Sequence, residues 1–321
     1  MRLAILTSGG DAPGMNAAIR SAVRTAKKLN WTVFGVQRGY HGLIYGELEE
    51  MGSRSVSNII QRGGTILRTS RCKEFTTDEG QQQAKRTLEA FGIQGLIVVG
   101  GEGSFHGAAA LAKIWTGQII GVPGTIDNDL YGTDWTIGFD TAVNTALDAI
   151  DKIRDTAEAH ERYFLVEVMG RESGFIALEA GLSGGAEEVL VPEIQVELTD
   201  IHKRLMLGKQ RGKTSSIIVV AEGNHAGSAF DIATKLKKLC GIDYRVVVLG
   251  HIQRGGIPTA RDRVLATKLG AYAVDMIATG KSGAMVGEIK GELVICPFQE
   301  TWAKKKPLDT YLLELNSILE T

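Results

Sequence analysis

Cysteine, excess charge and long apolar runs are all scarce in this chain of 321 residues. The three cysteines, Cys72, Cys240 and Cys296, are odd in number and lack metal-ligand spacing, which argues against a disulfide framework or a zinc site and favours a reducing cytoplasm. A formal net charge of −1 removes the electrostatic argument for nucleic acid or an anionic membrane as a partner. No apolar run approaches the roughly 20 residues that span a bilayer. The first residues lead directly into a strand-like segment, so we expect no signal peptide and a cytoplasmic protein.

Glycine, in contrast, is abundant, with 40 residues in a chain of otherwise ordinary globular composition. The glycines occur mostly at the ends of strand-like segments, which suggests that the backbone approaches ligands closely there. Short aliphatic runs alternate with longer amphipathic stretches, the pattern of a mostly parallel sheet covered by helices. The length allows two domains, with boundaries near residues 139 and 250.

The alternation predicts individual elements. The predicted strands are Leu3–Leu6, Thr32–Val36, Gly95–Val99, Gln118–Val122, Tyr163–Val168, Ser216–Ala221 and Arg245–Leu249. The predicted helices are Met15–Leu29, Val56–Gln61, Glu79–Phe91, Gly107–Ile114, a helix capped by Asp140 that reaches about Ala157, and Pro258–Ile277 with Gly280 as its stop.

The most informative segment is the loop at residues 123–129, which follows the apolar run 119–122. Strand ends that lead into loops carry the chemistry of open α/β sheets. Alternate positions of an extended segment point the same way, so Asp127 and Asp129 can share a face, one carboxylate for a metal and the other for a proton. The alternative is a surface turn, because Pro, Gly, Asn and Asp are also turn residues.

Two glycine-rich loops join a strand to a helix, at residues 7–14 and 98–107. Glycines at such a junction let backbone N–H groups face a phosphate at the positive end of the helix. Glu102 lies within the second loop, and a carboxylate beside phosphate suggests an intervening Mg²⁺. The spacing misses the dinucleotide fingerprint by one residue, and two P-loop-like fragments near Lys213 and Lys281 fail in spacing. Both loops can also be read as plain tight turns.

The strand ends of the second half carry cations and a glutamate, in the segments 167–171, 220–223 and 249–256. Arginine forks and a histidine at converging strand ends suit an anionic small molecule, most simply a phosphate ester, and Glu222 can accept hydrogen bonds from sugar hydroxyls. A single arginine at a strand end is more often a surface ion pair. The two halves together favour a phosphoryl transferase with an anionic acceptor.

A second basic group consists of Arg20 and Arg24, which share a helix face, Arg154, and the basic residues of the segment 203–213. Spacing alone favours a solvated basic surface.

The ordered motifs at residues 7–11, 100–104, 123–129, 169–171 and 250–256 identify a close similarity to a known family. From residue 1 to about 300 the chain resembles the bacterial ATP-dependent 6-phosphofructokinases, glycolytic kinases that phosphorylate fructose 6-phosphate. The resemblance implies an α/β fold of two similar Rossmann-like three-layer domains with mostly parallel sheets and the active site in the cleft between them. It implies a nucleotide-binding domain at 1–138 and 251–301 and a sugar-phosphate and effector domain at 139–250 and 302–321.

The resemblance also implies residue roles. Asp127 is the base for the sugar 1-hydroxyl, and Thr125, the Gly10 backbone and Arg171 steady the transferring group. The implied site for ATP and its Mg²⁺ comprises Gly10, Arg71, Cys72, Gly101, Glu102, Gly103 and Ser104, with Glu102 as the metal ligand. The implied fructose 6-phosphate site comprises Thr125, Asp127, Met169, Gly170, Arg171, Glu222, His251 and Arg254, with Arg162 and Arg245 supplied by a neighbouring subunit of a homotetramer. The implied site for the effectors ADP and phosphoenolpyruvate comprises Arg20, Arg24, Arg154, Gly185, Glu187, Arg211 and Lys213.

Three alternatives remain. Relatives that use pyrophosphate carry aspartate in place of Gly103 and lysine in place of Gly124, so the two glycines favour ATP. An NAD-binding oxidoreductase is disfavoured by the failed glycine spacing. A catalytically silent nucleotide sensor is disfavoured by Asp127 and Arg171, although the family usually has aspartate where Glu102 stands.

Overall fold

The computed structural model describes residues 1–319, which form eleven strands and eleven α-helices. The strands are β1 (Arg2–Thr7), β2 (Thr32–Val36), β3 (Leu48–Met51), β4 (Gly95–Gly100), β5 (Gln118–Pro123), β6 (Tyr163–Val168), β7 (Glu188–Leu190), β8 (Ser216–Ala221), β9 (Tyr244–Val248), β10 (Ala284–Ile289) and β11 (Glu292–Pro297). The helices are α1 (Met15–Lys28), α2 (Gly39–Tyr45), α3 (Asp78–Ala90), α4 (Glu102–Ala112), α5 (Phe139–His160), α6 (Phe175–Ser183), α7 (Leu198–Gln210), α8 (Ala229–Cys240), α9 (Ala260–Ala278), α10 (Phe298–Ala303) and α11 (Thr310–Leu319). Short 3₁₀ helices occur at Glu74–Thr76 and Gly250–Arg254.

The chain divides into two compact units. The first comprises Met1–Ile126, Leu130–Thr141 and Arg254–Lys306, and the second comprises Asp127–Asp129, Ala142–Gln253 and Pro307–Thr321. The expected boundaries are 138/139, 250/251 and 301/302. The two compact units are divided at 141/142, 253/254 and 306/307. The roles expected of the two domains stay predictions.

The first unit contains a seven-stranded sheet in the order β11-β10-β5-β4-β1-β2-β3. The strands β10, β5, β4, β1 and β2 are parallel, and β3 and β11 are antiparallel at the two edges. Both faces of the central strands are covered, because every residue of β4 is buried. In β1, Ala4 and Leu6 join the core cluster that contains Leu88 of α3 and Phe105 of α4. The opposite face of this sheet packs against α9, which contacts β4 and β5.

The second unit contains a four-stranded parallel sheet in the order β7-β8-β6-β9. Its central strand β8 is buried throughout, as expected for a parallel sheet covered by helices. Ile218 and Val220 of this strand belong to a core cluster with Ile201 of α7 and Ile232 of α8. The predicted α/β class, with mostly parallel sheets in two Rossmann-like domains, is confirmed.

Local signals explain where several elements begin and end. Thr259 caps α9 by accepting a hydrogen bond of 3.3 Å from the Asp262 nitrogen, and Gly280, with φ of +81°, lies just beyond the end of that helix. All seven predicted strands are present within one residue at each end: β2, β6 and β8 match, β1, β4 and β5 are extended by one residue at one or both ends, and β9 is shifted by one. Within residues 1–319 no helix is both long and apolar enough to span a membrane.

Three predicted helix features are wrong. Residues 56–61 form turns rather than a helix, since so short a segment gains too few helical hydrogen bonds to offset the cost of helix nucleation. The helix expected from Gly107 begins five positions earlier, at Glu102. Asp140 lies inside the first turn of α5 instead of capping it.

Candidate active site

Two of the glycine-rich loops lie at the point of the first sheet where the strand order reverses, after β1 and β4. Loops at such a position form the ligand crevice of open α/β sheets. The Ser8 nitrogen donates to the Val99 carbonyl oxygen at 2.9 Å, which holds the two loops together. A Cβ at Gly100 would lie 2.4 Å from Ser104 Oγ and 2.6 Å from the Ser8 carbonyl oxygen, so only glycine permits this approach.

The second of these loops opens directly into α4. Its N-cap, Gly101, provides no side-chain hydrogen bond, and the Ser104 nitrogen donates to the Gly101 carbonyl oxygen at 3.0 Å, so the N–H groups of Glu102 and Gly103 are the ones suited to an anion. The carbonyl oxygen of Ser104 accepts a hydrogen bond of 2.6 Å from the buried hydroxyl of Tyr40. Burial raises the pKa of Tyr40 far above its ordinary value, so this hydroxyl stays a donor.

Arg71 and Cys72 follow a segment that is anchored to the β1 loop. Thr7 Oγ1 donates to the Arg68 carbonyl oxygen at 2.8 Å, and Thr69 Oγ1 donates to the Gly9 carbonyl oxygen. The exposed side chain of Arg71 therefore starts two residues from a fixed contact with the glycine loop.

The loop after β5 is shared by the two units, because Thr125 and Ile126 belong to the first and Asp127 to the second. A Cβ on Gly101 would lie 3.5 Å from Thr125 Cβ, so Thr125 is beside the nucleotide-type loop. The Thr125 carbonyl oxygen accepts a 2.7 Å hydrogen bond from Thr136 Oγ1.

The aspartate pair of this loop does not lie on an extended segment. Asp127 and Asp129 are both half-buried, and the buried Asn128 between them has a left-handed φ of +54°. The premise of an extended backbone is therefore wrong, because Asn128 has the left-handed conformation, which asparagine adopts more readily than most residues. The Asp127 carbonyl oxygen lies 3.0 Å from Ser173 Oγ, which fixes the backbone of the candidate base.

The second sheet reverses its strand order between β6 and β9, and the cationic loops follow these strands. The fully buried Gln253 ties them together: its Oε1 accepts from the Met169 nitrogen at 3.4 Å, and its Nε2 donates to the Gly250 carbonyl oxygen at 3.0 Å. Arg171 has a left-handed φ of +59°, uncommon for a residue with a side chain and often found at functional sites. A Cβ on Gly223 would lie 2.2 Å from the Arg171 carbonyl oxygen, so the loop after β8 packs on this turn.

Arg162 and Arg245 lie at the amino-terminal ends of the strands of the second sheet, opposite the ends that carry the cationic loops. Arg162 directly precedes β6, and Arg245, the second residue of β9, pairs with Phe164. Met169 follows the other end of β6, roughly 20 Å away along an extended strand. One chain therefore does not bring these two arginines to its own Met169–Arg171 turn.

The effector-type residues of the second unit meet at a separate place. Arg154 Nη2 donates to the Gly185 carbonyl oxygen at 2.6 Å, and Lys213 Nζ lies 3.8 Å from Glu187 Oε1. A cavity of about 220 Å³ is lined by Glu187, Lys213 and Arg211 together with residues of α7 and β8.

The two units divide the remaining predicted site residues. The first unit holds Gly10, Arg20, Arg24, Arg71, Cys72, Gly101, Glu102, Gly103, Ser104, Thr125 and Arg254. The second unit holds Asp127, Arg154, Arg162, Met169, Gly170, Arg171, Gly185, Glu187, Arg211, Lys213, Glu222, Arg245 and His251.

Arg254 is predicted to bind sugar phosphate, and in the first unit its guanidinium carbon would lie 3.0 Å from a Cβ on Gly10. The structure also adds residues that sequence reasoning missed. The side chains of Ser173 and Gln253 make hydrogen bonds to the backbone of the site loops, and no sequence pattern predicts such contacts. His106 lies four residues after Glu102 on the same helix and contacts it at 3.6 Å, a spacing that is visible in the sequence.

Comparison with known proteins identifies the family. The Phosphofructokinase family model matches residues 2–277. The chain is 54% identical over 318 residues to the ATP-dependent 6-phosphofructokinase 1 of Thermus thermophilus, covering 99% of both chains. It is 51% identical over 317 residues to the ATP-dependent 6-phosphofructokinase of Clostridium botulinum, covering 99% of this chain and 98% of that protein. Its fold matches the phosphofructokinase of Saccharomyces cerevisiae with a TM-score of 0.87 and 35% identity, over 94% of this chain and 44% of that longer one. The chain therefore belongs to the phosphofructokinase family.

Proposed function

We propose that this chain transfers the γ-phosphoryl group of Mg²⁺-bound ATP to the 1-hydroxyl of fructose 6-phosphate, with Asp127 as the base. The observation that carries the proposal is the loop after β5: it presents Thr125 beside Gly101 of the nucleotide-type loop and reaches Asp127 two residues later. Thr125, beside the loop that would hold the phosphate donor, is therefore only two residues from Asp127, the carboxylate that would receive the acceptor's proton.

The nucleotide is held mainly by backbone. N–H groups of the first turn of α4 and of the Gly10 loop face the phosphates, and Arg71 neutralises their charge. Cys72 and Ser104 complete the walls of this site. Gly10 lies beside the Arg254 guanidinium group, so any side chain at this position would meet that group.

Mg²⁺ fits the donor set available. Within residues 1–319 no group of three or more His, Cys, Asp or Glu side chains is arranged to hold a metal. Mg²⁺ commonly uses only one or two carboxylates together with substrate phosphates, so Glu102 at the start of α4 suits it. When bound, the cation would neutralise phosphate charge.

Proton removal is not the demanding part of this reaction. Phosphoryl transfer passes through a loose transition state, so positioning and charge neutralisation supply most of the rate acceleration. Asp127 accepts the proton of the sugar hydroxyl, Thr125 and the Gly10 backbone steady the transferring group, and Arg171 neutralises its charge. The anchored backbone of Asp127 and the left-handed turn at Arg171 support these positions.

The acceptor is held at the strand ends of the second unit. We assign the 6-phosphate to His251 and to Arg254 of the first unit, whereas Arg171 serves the transferring phosphoryl group, and Glu222 accepts hydrogen bonds from sugar hydroxyls. Met169 and Gly170 form the turn against which the sugar lies, and the buried Gln253 keeps that turn in place.

The donor is ATP rather than pyrophosphate. The relatives at 51–54% identity carry the name ATP-dependent 6-phosphofructokinase. A side chain on Gly124, where pyrophosphate users have lysine, would place its Cβ 2.9 Å from Val99 Cγ1 and 3.0 Å from Met15 Cε. That position therefore does not accept a larger residue without movement of the core.

A homotetramer completes the sugar site. Arg162 and Arg245 lie at the far edge from the Met169 turn of their own chain, which supports their service to a neighbouring subunit. In the second unit, the edge strand β9 exposes Val248, and Ile252 is also an exposed apolar residue, as expected of a surface that another subunit covers. The cytoplasmic location stays a prediction.

ADP and phosphoenolpyruvate regulate the enzyme at the effector site, the group of basic residues with Gly185 and Glu187. The cavity beside Glu187, Arg211 and Lys213 supports this role, with Arg154 holding the turn at Gly185. Arg20 and Arg24 belong to the first unit, and we assign to the assembled tetramer the task of bringing them to this effector site.

One coupled assay tests the proposal: fructose 6-phosphate with Mg²⁺ and either ATP or pyrophosphate. We expect turnover with ATP and none with pyrophosphate. Turnover with pyrophosphate and none with ATP would mean that pyrophosphate is the phosphoryl donor. Nucleotide binding without turnover would identify a silent sensor, and NAD binding with hydride transfer would identify an oxidoreductase.

A further inference from the structure

The helix α10 packs on α4 through two stacked pairs of rings. Phe298 stacks on Phe105 with ring centroids 5.4 Å apart, and Trp302 stacks on His106 at 3.9 Å with an interplanar angle of 26°. All four side chains belong to the first unit. The Phe105–Phe298 pair is buried and belongs to the core, whereas the His106–Trp302 pair lies nearer the surface, on the side that faces Glu102.

The imidazole of His106 contacts the carboxylate of Glu102. Their closest atoms, Nε2 and Oε1, are 3.6 Å apart, and the two residues are one helical turn from each other. The Glu102 side chain is 45% exposed and stands at the first position of the helix, so on its own it would sample several rotamers. The ring of His106 is restrained on one face, because it stacks on the indole of Trp302.

We propose that His106, braced by Trp302, is a positioning residue that fixes the Glu102 carboxylate toward the Mg²⁺ of the bound nucleotide, an inference that rests on the proposed function. Nε2 approaches Oε1 at 3.6 Å, which is longer than a hydrogen bond, so the contact orients the carboxylate and Oε2 would be the oxygen that meets the cation. The contact also assigns a purpose to α10: through Trp302, this segment near the C-terminus sets the rotamer of a residue in the phosphate loop. The glutamate side chain then loses its conformational entropy on folding, so this loss does not weaken binding of the nucleotide and its metal.

The decisive variant is His106→Phe, which keeps an aromatic ring to stack on Trp302 but removes the nitrogen that contacts Glu102. The probe is Mn²⁺ in the presence of ADP, with bound and free Mn²⁺ measured by electron paramagnetic resonance at equilibrium in the full-length protein. The expected result is an Mn²⁺ dissociation constant raised by about three- to tenfold, with an unchanged melting temperature. In turnover, the KM for Mg-ATP rises while the KM for fructose 6-phosphate does not.

Two further variants separate positioning from simple stabilisation. His106→Gln retains an N–H donor and should recover part of the lost Mn²⁺ affinity. Trp302→Leu removes the brace but keeps the imidazole, and should weaken Mn²⁺ binding less than His106→Phe does. Lys113→Ala, at the exposed far end of α4, is the control and should change neither quantity.

An unchanged Mn²⁺ dissociation constant in His106→Phe would overturn the inference, as would a loss fully explained by a lowered melting temperature. Failure of the proposed function would look different, since wild-type protein would then not phosphorylate fructose 6-phosphate with ATP. A wild-type enzyme that turns over normally beside an unaffected His106→Phe variant refutes the positioning role alone.

Discussion

The carboxylate of Asp262 accepts hydrogen bonds from both the backbone nitrogen and the hydroxyl of Thr141, at 2.8 and 2.5 Å. It also accepts from the Gly138 nitrogen at 2.8 Å. Asp262 stands in the first turn of α9, yet its side chain satisfies the first backbone N–H groups of α5. At 1% exposure it is a buried cap supplied from another helix.

Removal of this cap should be costly. We expect Asp262→Ala to lower the free energy of unfolding by about 3 kcal/mol, because three buried donors lose their acceptor. Urea denaturation followed by circular dichroism measures this change as a lower midpoint. Asp275→Ala, an exposed aspartate on the same helix, should change stability by less than about 0.5 kcal/mol. Equal effects of the two substitutions would contradict the assignment.

The same carboxyl should give the folded protein a distinctive pH dependence. Burial raises the pKa of Asp262 above its ordinary value of 3.8, and its hydrogen bonds offset this only in part. Because the pKa is higher in the folded state, the contribution of this group is full below pH 3.8 and falls as the pH rises through the folded pKa. Urea midpoints measured across this acid range should show that slope in the wild-type protein, and Asp262→Asn should lack it. A parallel pair of curves would refute the raised pKa.

Close approach of the two glycine-rich loops predicts a contrast between neighbouring glycines. Gly100→Ala should lower stability by about 2 kcal/mol, because its Cβ would lie within 2.6 Å of both Ser104 Oγ and the Ser8 carbonyl oxygen. Gly103→Ala, whose Cβ would meet no atom within 4 Å, should leave the melting temperature equal or higher. Calorimetry of both variants tests the loop geometry, and a tolerated Gly100→Ala would show that it is wrong.

A shared sugar site predicts complementation between inactive subunits. Asp127→Asn and Arg162→Ala homomers should each be nearly inactive at low fructose 6-phosphate. After equal mixing, unfolding and refolding, about a quarter of the sites should carry both wild-type residues and regain activity, if each site draws on two chains. Mixtures that stay as inactive as their components would mean that Arg162 serves its own chain or none.

Prediction from sequence succeeded best where one physical signal dominates. The short apolar run at Leu3–Leu6, followed by glycines, predicts a buried strand, and the structure has it at Arg2–Thr7. Residues 56–61 are turns instead of the predicted helix, because a segment of six residues contains too few turns to establish a helical period. The start of α4 was placed too late, since glycines at Gly101 and Gly103 indicate a loop until tertiary packing extends the helix.

The candidate site divides in the same way. Its loops were predictable from strand ends followed by Gly, Asp and Arg, because open α/β sheets bind ligands there. The bend at Asn128 was not, since a left-handed asparagine depends on the surrounding packing. The backbone clamps by Ser173 and Gln253 join segments far apart in the chain, and no local pattern encodes such contacts.

The central claim is tested most directly by the rate of the Asp127→Asn variant in the ATP-dependent assay with fructose 6-phosphate. The account predicts a loss in kcat of about a thousandfold or more, with little change in the affinity for fructose 6-phosphate, because the base is lost and the binding groups remain. Asp148→Asn, an exposed aspartate on α5, is the charge-matched control and should keep the wild-type rate. An Asp127→Asn enzyme that retains a substantial fraction of wild-type kcat would contradict the account.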